Sequence, residues 1–243
     1  MEAGQCARLL SAQRVVKQVL LSWSSGKDSA WTLHVLRQDP TVEVVGLLTT
    51  LNAVHDRVAM HAVRRDVLEA QARALALPLD TVPLPWPCSN DDYERAMFQA
   101  LEGAVLRGVT HLAFGDLFLE DIRAYREKQL AGCGLELIFP IWKEPTDRLA
   151  RQMLAAGLEA VLTCVDMKQL PASFAGRRFD EDLLRDLPVS ADPCGERGEF
   201  HTCVLKSPDF REPLEARVGE IVERDGFAFA DVVLTTGGVH AIR

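Results

Sequence analysis

The sequence predicts an α/β fold: a parallel sheet flanked by helices, followed by a smaller α+β domain. Three observations carry the prediction. Apolar, β-branched runs alternate with helical patterns from Val15 to Val165, the rhythm of right-handed βαβ crossovers. A serine-rich loop, Ser22-Trp23-Ser24-Ser25-Gly26-Lys27-Asp28-Ser29, joins the first strand to the first helix. Beyond Val165 three strand-like segments follow without intervening helices. The boundary is expected within 131–140, dividing 1–134 from 135–243.

Residues 15–23 read as a buried strand, and 29–38 as a helix that Asp39-Pro40 breaks. Residues 42–50 form a second buried strand. Val63, Val67, Ala70 and Ala74 mark one face of the next helix. A third strand spans 79–84, ahead of Pro85-Trp86-Pro87. Asp91, Asp92 and Glu94 open a helix where their charge suits its dipole; Tyr93, Met97, Leu101 and Val105 form its apolar face. The alternation continues with a strand at 110–114, a helix at 119–130, a strand at 135–139, a helix at 146–156 and a strand at 160–165. The later strands are 200–206, 218–222 and 227–234. Parallel sheets hold ligands beyond the carboxyl ends of their strands. A site therefore belongs in the loops after Trp23, Thr50, Leu84 and Phe114.

The chain has 243 residues, of which 48% are hydrophobic and 26% charged, enough to bury a sizeable core. Its formal net charge of −8 disfavours a broad nucleic-acid footprint. None of the six cysteines forms a C-x-x-C pair, and the N-terminal stretch does not read as a signal peptide. A reduced, cytoplasmic protein is expected. No run of 18 apolar residues exists in the sequence, so no membrane span is expected.

The loop after the first strand suits an anion, because backbone N–H groups and a helix N-terminus converge there. Gly26 is expected to permit an unusual backbone angle. Ser24, Ser25 and Ser29 offer hydroxyls, and Lys27 offers a point charge. This is not a Walker A loop, which needs glycine at the position of Leu21 and Ser or Thr at that of Asp28. An aspartate beside a triphosphate makes sense if it works through Mg²⁺. The competing reading is an ordinary serine-rich turn with Lys27 and Asp28 solvated. Its place directly after a buried strand weighs against that.

The loop resembles the SGGxDS signature of the PP-loop ATP pyrophosphatases, with Ser25 in place of the first glycine. Further motifs follow in order: Met60-His61, Gly115-Asp116, Glu120-Asp121-Ile122-Arg123, Phe139-Pro140-Ile141-Trp142, Gly176-Arg177, and Asp192-Pro193-Cys194-Gly195-Glu196-Arg197-Gly198-Glu199-Phe200-His201-Thr202. This ordered set resembles the diphthine–ammonia ligase family, in the form of its bacterial, adenine-nucleotide α-hydrolase-like relatives. The resemblance implies a HUP-type, Rossmann-like domain with a smaller substrate domain. It also implies ATP held by the loop, adenylation of an acceptor, and release of AMP and pyrophosphate. In the ligase the acceptor is a carboxylate that ammonia then converts to an amide. The bacterial form implies a different acceptor.

Candidate site residues follow from both readings. Asp28 and Asp116 fall at carboxyl ends of parallel strands and would hold Mg²⁺ against the phosphates, although Asp116 also suits a turn after Gly115. Arg123 would reach phosphate or a carboxylate with its fork, or else lie on a solvated helix face with Glu120 and Glu127. Thr49 and Met60 would pack near adenine, Met60 being equally suited to the core. Glu196, Glu199 and His201 would bind metal, orient ammonia or take its proton, or else decorate a β-bulge. Cys88 reads as a buried thiol. Trp23, Trp86 and Trp142 read as packing residues, Trp86 with the option of lining a pocket. The expected cofactors are ATP and Mg²⁺, and the expected partners are a carboxylate-bearing acceptor and ammonia, with homodimer formation left open. Two rival classes remain: a tRNA-modifying PP-loop enzyme, which the missing C-x-x-C pair disfavours, and a HUP nucleotide-binding module without ligase chemistry.

Overall fold

Val19, Leu20 and Leu21 are sealed from solvent, and their strand, β1 (Lys17–Ser22), lies inside a parallel sheet. The structure, a computed structural model, describes residues 16–59 and 61–235. Val19 and Leu21 pack into one apolar cluster with Leu33 and Leu47, whereas Leu20 packs into another with Leu101 and Leu112. A strand buried on both faces needs apolar side chains on both, hence a continuous run rather than an alternation.

After β1 come α1 (Lys27–Gln38), β2 (Val42–Asn52), β3 (Arg57–Val58), α2 (Arg65–Leu75), β4 (Leu79–Leu84), α3 (Asn90–Leu106), β5 (His111–Ala113), α4 (Glu120–Gln129) and β6 (Glu136–Ile138). Parallel pairing joins β4 to β2, β2 to β1, β1 to β5 and β5 to β6; β3 adds a short antiparallel pairing to β2. In order of appearance the parallel strands lie 3-2-1-4-5, the Rossmann-like order. That order reverses at β1. The crevice beyond β1 and β5 is therefore the topological switch point, where such sheets hold ligands. α2 starts later than the pattern from Val63 implies, and its buried face is Val67, Leu68, Gln71, Ala72 and Leu75.

The expected alternation stops after α5 (Thr146–Ala155). The next strand, β7 (Glu159–Asp166), does not extend the parallel sheet. Beyond α6 (Glu181–Asp186), β8 (Phe200–Lys206), β9 (Ala216–Arg224) and β10 (Phe227–Leu234) complete an antiparallel sheet with it, in the order β8-β7-β10-β9. Residues 160–165 are buried throughout. A fully buried strand looks alike in sequence whether its neighbours run parallel or antiparallel, so the change of sheet is not legible there. β6 follows the expected division at 134/135 but pairs with β5 in the first sheet. The larger apolar cluster runs unbroken from Val19 and Leu21 to Leu162, Phe200 and Val204, so the two sheets share a core.

Candidate active site

A cavity of about 600 Å³ opens at the switch point, within the usual range for small-molecule sites. All four loops expected to build a site contribute to it. Ser24, Lys27, Asp28 and Ser29 come from the loop after β1, and Thr49 and Thr50 from the end of β2. Leu84 and Cys88 follow β4; Phe114, Gly115 and Asp116 follow β5. Glu196, His201 and Thr202 arrive from the C-terminal part. The two motifs that stand far apart in sequence thus meet in one cavity.

The loop is built differently from expectation. Its left-handed residue is Ser25, at φ 68°, not Gly26, whose φ is −90°. Glycine is required at 26 for space: a Cβ there would lie 2.7 Å from Cε1 of His61. Ser25 is fully buried, and its carbonyl accepts from the Val204 amide at 2.9 Å and from Nε2 of Gln71 at 3.1 Å. Gln71 also donates to the Val204 carbonyl at 2.8 Å and accepts from the Trp23 indole at 3.0 Å. This buried amide ties the loop to β8, and only its polar character on an otherwise apolar helix face hints at that. The Thr49 hydroxyl is spent on the Trp23 carbonyl at 2.7 Å. Ser24 donates to the Ser29 hydroxyl at 3.2 Å, and Ser29 to the Gly26 carbonyl at 2.9 Å.

The Ser25 hydroxyl has no hydrogen-bond partner among the described residues. A left-handed non-glycine residue and an unpaired buried hydroxyl each cost about 1 kcal/mol or more. Glycine would remove both and return only part through added chain entropy. Ser25→Gly is expected to stabilise the protein by about 1 kcal/mol, raising Tm by roughly 2–4 °C. A lower Tm in thermal unfolding would show that Ser25 is held by something more than its backbone.

Lys27 is 1% exposed, so the loop is not the surface feature that a solvated turn would make. Its ammonium donates to both oxygens of Asp28, at 3.0 and 2.9 Å, and to the Cys194 carbonyl. Phe179 and Phe200 flank it with ring centres at 5.5 and 5.4 Å. Burial alone would lower its pKa, but Asp28 beside it more than offsets this, and the ammonium is held above its ordinary value. Its amide donates to the Thr202 hydroxyl at 3.1 Å, a second tie to β8.

Asp116 is gripped by Arg126, with Nε 2.7 Å from Oδ2 and Nη2 3.1 Å from Oδ1. Arg123 does not face this cavity. It pairs with Glu127 at 2.8 Å and stacks over Phe139 and Trp142, with ring centres at 4.5 and 4.9 Å. The arginine that lines the cavity is Arg126, one turn of α4 further on. The helix periodicity admits either, and only the packing of Phe139 and Trp142 chooses. Asp28 and Asp116 are thus each taken up by a cation. Among the described residues no group of three or more His, Cys, Asp or Glu side chains is placed to hold a metal ion. The residues do not fit an all-protein Mg²⁺ site, and no step below depends on one.

Glu196 reaches across to the first sheet. Its Oε1 accepts from the amides of Leu117 at 2.8 Å and Phe118 at 3.3 Å. Burial, reinforced by the charges of Asp28 and Asp116, pushes its pKa up to about 7. His201 packs against His61 with ring centres 4.7 Å apart and the rings tilted at 45°. Nδ1 of His61 donates to the Thr202 carbonyl at 3.0 Å. Burial lowers His61 to about 4 and His201 to about 3, so both rings are neutral at pH 7 and weakly basic. Glu199 does not reach the cavity. It is fully buried, and its Oε1 accepts from the Asp192 amide at 2.7 Å. Asp192 in turn accepts from the amides of Cys194 and Glu196, at 2.8 and 3.3 Å, and from Thr146 at 2.6 Å. Glu199 therefore shapes the loop that presents Glu196. Gly195, at φ 71°, is needed in that loop, since a Cβ would lie 2.7 Å from the Phe200 carbonyl.

Met60 lies outside the described residues. Trp86 is 65% exposed and does not line the cavity, whereas Trp23 is buried. Cys88 lines the cavity and is half-buried.

A Rossmann-like sheet, a loop at its switch point and a near-neutral carboxylate facing that loop define an α/β enzyme with its site at the strand ends. A family described as the diphthamide synthase C-terminal domain matches residues 145–232. Diphthine–ammonia ligases align over most of the chain. The Bos taurus protein is 25% identical over 231 residues, 86% of each chain. The Homo sapiens protein is 24% identical over 231 residues, again 86% of each. The Schizosaccharomyces pombe protein is 32% identical over 218 residues, 82% of this chain but 36% of its own greater length. Over most of its length the chain is thus similar to the diphthine–ammonia ligases, and these likenesses support that family.

Proposed function

We propose that the protein is an ATP-dependent ligase that adenylates a carboxylate acceptor and then converts it to an amide with ammonia. The observation that carries this reading is the meeting of the Ser24–Ser29 loop with Glu196 in one cavity. In this reading residues 1–134 carry the ATP loop, and 135–243 bring Glu196, the proposed proton acceptor, to it. The loop amides and the hydroxyls of Ser24 and Ser29 hold phosphate oxygens, and the wall at Thr49 and Thr50 takes the adenine. Mg²⁺ bound with the triphosphate would offset the phosphate charge beside Asp28 and Asp116.

The chemistry then runs in two displacements. A carboxylate oxygen of the acceptor attacks the α-phosphorus of ATP, and the bond to pyrophosphate breaks. Ammonia next attacks the acyl carbon, AMP leaves, and the nitrogen gives up a proton. Glu196, with a pKa near the working pH, is the group suited to take it. His201 is too weak a base for that and serves as a wall beside His61. The diphthine–ammonia ligases to which the chain is similar take ammonia as the nucleophile, as their name states; the acceptor here is a carboxylate other than diphthine, as the bacterial form of the motifs implies. The described cysteines are all free thiols, the state expected of a cytoplasmic enzyme, and no described helix is long and apolar enough to cross a membrane.

The test is product analysis. With ATP, Mg²⁺, ammonium and a library of carboxylic acids, AMP and pyrophosphate are expected. Chromatography that finds only ADP and phosphate would overturn the assignment of attack at the α-phosphorus.

A further inference from the structure

Besides the phosphate loop, the cavity is lined by side chains of α3 and α4. Tyr93 and Met97 come from α3, Tyr125 and Arg126 from α4, and Phe114 directly follows β5. Among the described residues that line the cavity, the permanent cations are Lys27 and Arg126. Lys27 is spent on Asp28 and the Cys194 carbonyl. Arg126 uses only Nε and Nη2, both on Asp116, and its Nη1 has no partner among the described residues. Its guanidinium carbon lies 4.5 Å from the centre of the Phe114 ring, a second contact that helps to hold it.

These residues share the cavity with the loop. A Cβ on Gly115 would lie 3.1 Å from the Asp28 carbonyl oxygen, so the chain carrying Asp116 passes directly against the start of α1. A group bound at Arg126 would therefore share one cavity with the phosphate loop, as a nucleophile for the α-phosphorus must.

We infer that the part of the cavity lined by α3 and α4 is the acceptor subsite, and that Arg126, oriented by Asp116, anchors the acceptor's reacting carboxylate. This rests on the ligase reading above. Asp116 cancels much of the charge on Arg126, which suits a single carboxylate better than a triphosphate. The remaining N–H groups of Arg126 fix that carboxylate by charge-assisted hydrogen bonds. Tyr93, Met97 and Phe114 take an apolar or aromatic body attached to it. The Tyr93 hydroxyl, without a partner among the described residues, is a further donor for a polar substituent. Asp116 is then a positioning residue for Arg126 and not a metal ligand.

The probes are 3-phenylpropionate and its amide, followed by saturation-transfer NMR on the full chain with a non-hydrolysable ATP analogue present. Wild type is expected to bind the acid at least roughly 10-fold better than the amide, the usual return on a charge-assisted contact. Arg126→Lys keeps the charge but loses the fork, and the double variant Asp116→Asn/Arg126→Gln keeps the site neutral and folded. Both are expected to lose that preference while binding the ATP analogue as wild type does. Equal binding of acid and amide to wild type, or no binding of the acid, overturns the inference. A matching loss of nucleotide affinity in Arg126→Lys also overturns it, by moving Arg126 to the phosphates. Wild type that fails to bind the ATP analogue at all defeats the ligase reading itself.

Discussion

Glu196→Gln is expected to yield a protein that is more stable than wild type at pH 8 and at least roughly 100-fold slower. Glutamine is close in shape and can still accept from the Leu117 and Phe118 amides. What it removes is a charge that the fold disfavours. The Glu196 carboxyl ordinarily titrates at 4.5 and in the folded protein at about 7. A carboxyl raised on folding contributes stability that is complete below its ordinary value and is lost as pH rises through the folded one. Wild type should therefore lose stability between pH 4.5 and 7, by about 2 kcal/mol after allowing for the open side of the cavity. Glutamine does not titrate, so the two proteins should match near pH 4 and diverge above it. Chemical denaturation across this pH range measures the stability difference. AMP release in the presence of the acceptor and ammonium measures the rate, which in wild type should rise with an apparent pKa near 7. Equal stability at pH 8 would mean that the carboxyl is not disfavoured. Undiminished turnover would remove Glu196 from the proton transfer.

Lys27→Met is expected to damage both fold and function, and the two effects can be separated. The ammonium is buried and gives hydrogen bonds to Asp28 and the Cys194 carbonyl. Removing it leaves a mostly buried carboxylate and a buried carbonyl without their donor, a loss of about 2–4 kcal/mol. Turnover should also fall by roughly 100-fold, the range for a lost electrostatic donor near developing charge. The double variant Lys27→Met/Asp28→Asn removes the orphaned charge. It should recover much of the stability and none of the turnover. Denaturation of the three proteins, with AMP release from each, distinguishes the roles. A single variant as stable as wild type would show that Asp28 does not depend on Lys27. A double variant with restored turnover would show that Lys27 serves only to neutralise its neighbour.

These expectations depend on distances that no sequence pattern contains, yet much of the architecture is legible without them. The run through Val19, Leu20 and Leu21 identifies a strand buried on both faces, and the serine-rich loop after it marks the site, because an anion loop must stand at the carboxyl end of a parallel strand. The Gly195 to Thr202 segment stands out through its glycines and acidic residues. Local chemistry suffices for such elements, since turn geometry and strand burial leave short-range marks.

Side chains whose roles are set by long-range packing are another matter. Glu196 and Glu199 are three residues apart and alike in sequence. One reaches the Leu117 amide and the cavity, while the other turns inward to the Asp192 amide, because left-handed turns at Gly195, before the first, and at Gly198, between the two, fold the loop back. Arg123 and Arg126 are likewise equal candidates on one helix, until Phe139 and Trp142 claim the first and Asp116 the second. Gln71 looks like an ordinary helix residue and proves to be the buried tie between loop and β8. The direction of β7 is silent in its sequence, since full burial imposes the same apolar run on either pairing. The sequence by itself determined the alternating fold, the loop at its switch point and the family resemblance. Which acid faces the cavity, which arginine lines it and how the second sheet closes over the first were decided only by the tertiary structure, where contacts between distant segments select one orientation from several that the local sequence permits.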